Sequence, residues 1–149
     1  MSSFSFRMQR LLGFRNIQEQ EAKRELSLRH IALEQETARL SGLKMEEELV
    51  ITRWREQIQE TIKLPGLQAV QEYSNLLENR VIQQARQYHK TRGRVEEQRD
   101  LARQCWQKKR MLEILKSKAS LEHQRQEQIM ERNLIDEIVL NTYNRKGGE

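Results

Sequence analysis

The side chains that could ligate a metal ion or act as a nucleophile are His30, His89, His123 and Cys105. The three histidines lie far apart in the chain, and none has the spacing of a metal-binding pair. The single cysteine has no neighbouring Cys or His, and it allows no internal disulfide. The sequence therefore predicts no metal site and no cofactor, and places Cys105 as a small buried hydrophobe.

Carboxylates and phosphate-binding motifs do not form a catalytic site either. The 22 Asp and Glu residues fall on predicted solvated helix faces, with no concavity that would desolvate a carboxyl group and raise its pKa. The chain contains no GxxxxGK[ST] motif, no GxGxxG motif and no serine elbow. We expect a protein that is not an enzyme and that binds no small-molecule ligand.

The composition limits the elements that could position any site. Its 149 residues include one proline and six glycines, too few for the many turns of a compact domain. The one strong turn signal is Pro65-Gly66. We therefore predict helix 1 over about 5–62, a hinge at 63–66, helix 2 over about 67–141 and a flexible tail at 142–149. Residues 1–149 form one elongated all-α domain in this prediction.

Apolar residues recur every seven positions in both predicted helices, which is typical of a left-handed coiled coil. The repeat has polar gaps, so we expect a marginal seam that bends easily. The gaps are Glu19, Arg29, Glu47, Gln84 and Gln98. The repeat comprises Leu12, Ala22, Leu26, Leu33, Leu40, Leu43, Val50 and Trp54 in helix 1, and Val70, Leu77, Val81, Tyr88, Val95, Ala102, Cys105, Leu112 and Ala119 in helix 2.

A turn near residue 65 predicts that the two helices pair antiparallel as a hairpin. Residue i then lies opposite about 130 minus i, which places Trp54 opposite Leu77 and Val50 opposite Val81. Helix 2 is the longer, so its residues from about 126 onward have no partner in helix 1. An exposed apolar stripe of this kind marks a docking surface, with self-association as the alternative.

The net charge of +5 is concentrated in the second half of the chain. Between Arg80 and Lys118 there are twelve basic and four acidic residues. This stripe could meet nucleic acid, an anionic membrane or an acidic protein surface. The segment 1–18 contains three arginines, three phenylalanines and no acid, so a transit peptide or a membrane-surface helix is an alternative there. No apolar run approaches the length of a bilayer span, and we expect a reducing cytosolic compartment.

The opening Phe4-Ser-Phe6-Arg-Met-Gln-Arg-Leu11-Leu12-Gly-Phe-Arg15 resembles the F-x-F-x-x-Q-x-L-L-x-x-R start of the flagellar export protein FliJ family. Tyr73-x-x-x-Leu77 resembles the aromatic residue and leucine near the start of the family's second helix. Later landmarks follow in the family's order over nearly the whole chain. They are Val95, Arg99, Leu101, the block from Lys108 to Lys116, and Asp136-Glu137-Ile138.

The resemblance implies a non-catalytic stalk of the flagellar type III protein export apparatus, needed for flagellum assembly and motility. Its implied partners are the ring of the export ATPase (FliI), the cytoplasmic region of the export gate (FlhA) and substrate chaperones. It implies a bacterial cytoplasmic protein, peripheral to the inner membrane at the flagellar basal body. An injectisome stalk is the sister alternative, and a basic coiled coil that binds nucleic acid or an anionic membrane is the alternative from another class.

Carry-over of the family's contacts gives two candidate surfaces. The export-gate end comprises Tyr73 and Leu77, for which packing in the seam is the alternative. The ATPase-ring end comprises Phe4, Phe6, Leu11, Leu12, Ile129, Leu134, Ile135, Ile138 and Val139.

Overall fold

A computed structural model describes residues 2–59 and 64–148. Two helices account for most of them: α1, Gln9–Gln59, with 51 residues, and α2, Leu64–Gly147, with 84 residues. No strand occurs in these described ranges. The predicted all-α fold with a longer second helix is confirmed. In the described parts of the chain, neither helix contains an apolar stretch long enough to cross a membrane.

The helix ends differ from the predicted ones. α1 begins at Gln9 rather than near residue 5, and its amide donates to the carbonyl of Phe6 over 3.1 Å. α2 already includes residues 64–66 of the predicted hinge, because proline fits the first turn of a helix, where its missing N–H would have no partner. The predicted hinge residue 63 and the predicted end of helix 1 at 62 lie outside the described residues.

Helix α2 continues to Gly147, past the predicted end of helix 2 at about residue 141. Its last turn carries Arg145 and Lys146, and cationic side chains there interact favourably with the negative end of the helix dipole. The helix also contains no proline after Pro65 that would end it. The apolar end of α2 is therefore presented on a continuous helix.

Contacts between the helices divide the chain into two compact units. Unit 1 comprises Met1–Glu19 with Gln104–Glu149, and unit 2 comprises Gln20–Arg103. In unit 2, Gln98 of α2 contacts Ala22 of α1 and Gln84 contacts Glu36. In unit 1, Lys109 contacts Glu19 and His123 contacts Ser2. In each unit, residues later in α2 contact residues earlier in the N-terminal part of the chain. The two parts of the chain therefore run antiparallel in each unit.

Burial in unit 2 follows a seven-residue repeat. Leu77 is 0% exposed and Val95 is 2% exposed, while the outward positions between them are solvated. This alternation is what two helices with a coiled-coil repeat produce when they pack along one seam. The buried and half-buried seam positions are Ala22, Leu26, Arg29, Leu33, Glu36, Leu40, Leu43, Glu47, Val50, Leu67, Val70, Ser74, Leu77, Val81, Gln84, Tyr88, Thr91, Val95, Gln98 and Ala102.

The register in unit 2 differs from the one expected from apolar matching. One groove is lined by Val50 and Trp54 of α1 together with Ser74 and Val70 of α2. In an antiparallel seam, residues of the two helices pair in layers. The layers at this groove pair Val50 with Ser74 and Trp54 with Val70. The two residue numbers in each layer sum to 124. Val50 was expected opposite Val81, so the observed register lies one heptad away. In this register, polar seam residues form hydrogen bonds between the two helices. A register predicted from the apolar residues alone does not take these hydrogen bonds into account.

Candidate partner-binding surfaces

The polar gap at Glu19 holds a buried ion pair in unit 1. Glu19 is 2% exposed, and its carboxylate lies 2.8 Å from Nζ of Lys109. Nζ also lies 3.7 Å from Glu113, one turn further along α2. The hydrogen bond to Glu19, together with attraction by both carboxylates, raises the pKa of Lys109 above its usual 10.5 against a smaller opposing effect of burial. The seam therefore contains an ion pair at a position where the sequence predicted a polar gap.

The gaps in unit 2 are also hydrogen-bonded across the seam. Gln98 is 6% exposed, and its amide donates to the carbonyl of Ala22 over 3.2 Å. The guanidinium of Arg29 donates to the carbonyl of Arg94 over 3.2 Å. The amide of Gln84 donates to both the carbonyl and the carboxylate of Glu36. Because buried polar groups are costly unless paired, these contacts reduce the cost of the polar gaps in the seam.

The segment 128–148 at the end of α2, which we call the overhang, is exposed at every position. It carries eight large apolar side chains that are each more than half exposed. All five predicted ring-end residues of α2 belong to this set, whereas Met130, Leu140 and Tyr143 were missed, although they share the same short stretch of sequence. The set is Ile129 55%, Met130 69%, Leu134 59%, Ile135 58%, Ile138 56%, Val139 59%, Leu140 60% and Tyr143 75% exposed.

These apolar side chains point in all directions around the overhang. Consecutive helical residues are about 100° apart, so Ile138, Val139 and Leu140 alone cover more than half of the circumference. Met130 and Leu134 fall in the remaining arc. A helix that is apolar on all sides is typically buried on all sides. The overhang is therefore suited to a partner that surrounds it.

One of the predicted ring-end residues near the N-terminus, Phe4, contacts α2. The ring of Phe4 meets that of His123 edge-on, with centroids 5.6 Å apart. Oγ of Ser2 lies 3.3 Å from Nε2 of the same histidine. Phe4, Phe6 and Leu12 are half-buried and Leu11 is 40% exposed. Part of this predicted surface is thus covered by the protein itself.

The predicted gate-end residues separate in the structure. Tyr73 is 45% exposed and lines an open groove of about 280 Å³ with Val50, Arg53, Gln57, Ala69 and Val70. Leu77 is 0% exposed; it is therefore a seam residue, as the alternative interpretation held, and cannot offer its side chain to a partner. Trp54, which we had assigned to the seam, is 40% exposed and lines an adjacent groove of about 380 Å³.

Cys105 and the histidines do not come together in one site within the described residues. Cys105 is half-buried. His123 contacts the N-terminal segment, and the ring of His89 packs edge-on against Tyr88 at 5.4 Å. Within residues 2–59 and 64–148, no three His, Cys, Asp or Glu side chains are placed to hold a metal ion. The exposed overhang and the two grooves beside Tyr73 and Trp54 are the candidate functional features described above.

Comparison with known proteins identifies the family of the chain. Residues 4–148 match the family described as flagellar FliJ protein. No curated protein and no solved structure gave a significant match to the chain. The family match covers nearly the whole chain, including the N-terminal segment, both helices and the overhang. The chain therefore belongs to the flagellar FliJ protein family, a non-catalytic component of flagellar protein export.

Proposed function

We propose that this chain is the stalk of the flagellar export ATPase (FliI), with the overhang inserted into the ATPase ring. The observation that carries the proposal is the distribution of apolar side chains around residues 129–143, which a surrounding partner could bury on every side. A partner with one flat surface would leave much of this apolar area in water. A ring with an apolar central opening would not.

In this proposal, unit 2 contacts the cytoplasmic region of the export gate (FlhA). Tyr73 and Trp54 are exposed aromatic residues beside two neighbouring grooves, and exposed aromatics at grooves are frequent anchors in protein interfaces. The stalk would link ATPase and gate mechanically, at the cytoplasmic face of the inner membrane, and would assist delivery by substrate chaperones. It would hydrolyse nothing itself.

Replacing Ile135 by aspartate should remove the chain from the ATPase ring. A charge placed in an apolar ring opening is desolvated without a partner, so we expect binding to weaken by about tenfold or more, corresponding to about 1.4 kcal/mol or more. Co-sedimentation with the assembled hexameric ATPase measures binding, and phosphate release measures stimulation of the ATPase.

The matched control is Ile31→Asp, because Ile31 is 52% exposed against 58% for Ile135 but lies in α1, outside the overhang. The control should bind normally, and nuclease treatment should change neither result. Equal binding by both aspartate variants would refute ring insertion. Binding of the wild-type chain to DNA with a steep salt dependence and no ATPase stimulation would favour the nucleic-acid alternative.

Replacing Tyr73 by alanine should weaken binding to the cytoplasmic region of the gate, again by about tenfold, while leaving ATPase binding unchanged. The side chain is too exposed to contribute strongly to folding, so helicity should persist. Calorimetric titration with the purified gate region provides the measurement. Leu101→Ala, at a residue that is 51% exposed and distant from the grooves in sequence, is the control. Unchanged gate affinity for the Tyr73 variant would exclude this residue as an anchor.

A further inference from the structure

The seam of unit 2 can satisfy a second register one heptad away from the observed one. In the observed register, Val50 and the polar Ser74 line one groove, which assigns them to one layer of the seam. Moving α1 seven residues along α2 places Val50 opposite Val81 and Trp54 opposite Leu77, so both layers become apolar. Registers separated by seven residues retain the same seam positions. The apolar contacts therefore do not exclude the alternative pairing.

The buried charge in unit 1 can also be satisfied in both registers. Glu19 is 2% exposed and pairs with Lys109. Lys116 lies seven residues further along α2, at the equivalent seam position, and it is half-buried as Lys109 is. A slip of one heptad would bring Lys116 to Glu19 as Lys109 leaves. Each of the two registers therefore places a cation beside this buried carboxylate.

Two of the cross-seam hydrogen bonds in unit 2 also tolerate a slip. Gln98 donates to the carbonyl of Ala22, and Arg29 donates to the carbonyl of Arg94. Both acceptors are backbone groups, which recur at every position along a helix. After a slip of seven residues each donor meets an equivalent carbonyl. The contact between the amide of Gln84 and the carboxylate of Glu36 joins two side chains and is specific to the observed register.

We propose that α1 and α2 exchange between the observed register and a second register in which residue i of α1 lies opposite 131 minus i. The displacement is seven residues, about 10 Å at 1.5 Å per residue. It moves Phe4 from His123 towards Met130 and shortens the unpaired end of α2 by seven residues. Its importance for export rests on the proposed function, because the slip would change how much helix can enter a ring.

Disulfide trapping can detect the second register without any partner. In a Cys105→Ser background, Leu12→Cys/Leu112→Cys reports the observed register and Leu12→Cys/Ala119→Cys reports the shifted one. A third pair, Leu12→Cys/Gln126→Cys, fits neither register and reports unfolding. We expect rapid oxidation of the first pair. The second pair should oxidise about 10- to 1000-fold more slowly, as for a minor state of 0.1–10%, but faster than the third.

Charge reversal at the two lysines then tests the mechanism. Lys109→Glu opposes Glu19 in the observed register only, so it should raise the oxidation rate of the shifted pair about tenfold or more. Lys116→Glu opposes Glu19 in the shifted register only, so it should suppress that oxidation and leave the observed pair and the helicity unchanged. If Lys109→Glu fails to fold by circular dichroism, the Lys116 arm still decides the question.

The proposal is overturned if the shifted pair oxidises no faster than the unfolding control, or if Lys116→Glu leaves its rate unchanged. An independent readout in unit 2 compares Val50→Cys/Ser74→Cys with Val50→Cys/Val81→Cys, and a slip requires both shifted pairs to form. None of these outcomes depends on the ATPase. Failure of ring binding would leave the slip standing, and failure of the slip would leave ring binding standing.

Discussion

Replacing Leu77 by alanine will lower the free energy of unfolding by about 2–5 kcal/mol, the range observed for leucine truncation in packed cores. Leu77 has the most completely buried apolar side chain among the described residues, at 0% exposed. Among the described residues of unit 2, the other buried apolar side chains are Ala22 and Val95, so the cavity left by the truncation has little surrounding core to fill it. Urea titration followed by circular dichroism measures the loss.

The adjacent leucine provides the control, because Leu76 is 45% exposed. Leu76→Ala should change the unfolding free energy by only about 0.5 kcal/mol. The comparison also tests the gate surface, since Leu77→Ala should affect gate binding only to the extent that it unfolds the protein. Similar stability losses in the two variants would contradict the assignment of Leu77 to the seam. Loss of gate binding by a fully folded Leu77 variant would contradict its exclusion from the gate surface.

Replacing Lys109 by methionine should have the largest destabilising effect among the lysine substitutions. Nζ is 2.8 Å from the carboxylate of Glu19, which is 2% exposed. Removal of the cation takes away a counter-ion that lies 2.8 Å from that buried charge, and breaking a buried pair costs more than the intact pair contributes. The fall in melting temperature should be several-fold larger than for Lys108→Met, which changes an exposed neighbour.

The double variant Glu19→Leu/Lys109→Met separates charge burial from packing. Because apolar residues of similar volume can replace a buried ion pair at little cost, the double variant should recover most of the stability lost by Lys109→Met. Thermal melts of the wild type, both single variants and the double variant complete the cycle. A double variant less stable than Lys109→Met would show that the pair is not the source of the effect.

Much of the fold was predictable because it depends on local, repeating signals. A seven-residue apolar repeat specifies the seam positions of each helix regardless of its partner, so Leu26, Leu43 and Val95 were placed correctly. Scarce prolines and glycines predicted few, long helices. The helix ends were less predictable, because Pro65 can precede or begin a helix. The continuation of α2 past residue 141 was not predicted, because solvated polar residues such as Asn144 do not break a helix that is already formed.

The candidate surfaces were predictable in part. The apolar overhang is visible in the sequence as a cluster without partners in helix 1, and the predicted residues Ile135 and Ile138 are exposed. The sequence could not predict which of these side chains are accessible to a partner, because Phe4 and Leu77 have the same apolar character as exposed anchors. Only the positions of neighbouring helices distinguish them: Phe4 meets His123, and Leu77 is enclosed by the seam.

The sequence by itself determined the helical class, the seam positions and the family, since each is encoded in the order and spacing of residues along one chain. Only the tertiary structure decided the register. The heptad repeat fits two pairings seven residues apart, and the choice depends on contacts between distant residues such as Gln84 with Glu36. A repeat that identifies which residues face a partner helix carries little information about how far along that partner they lie.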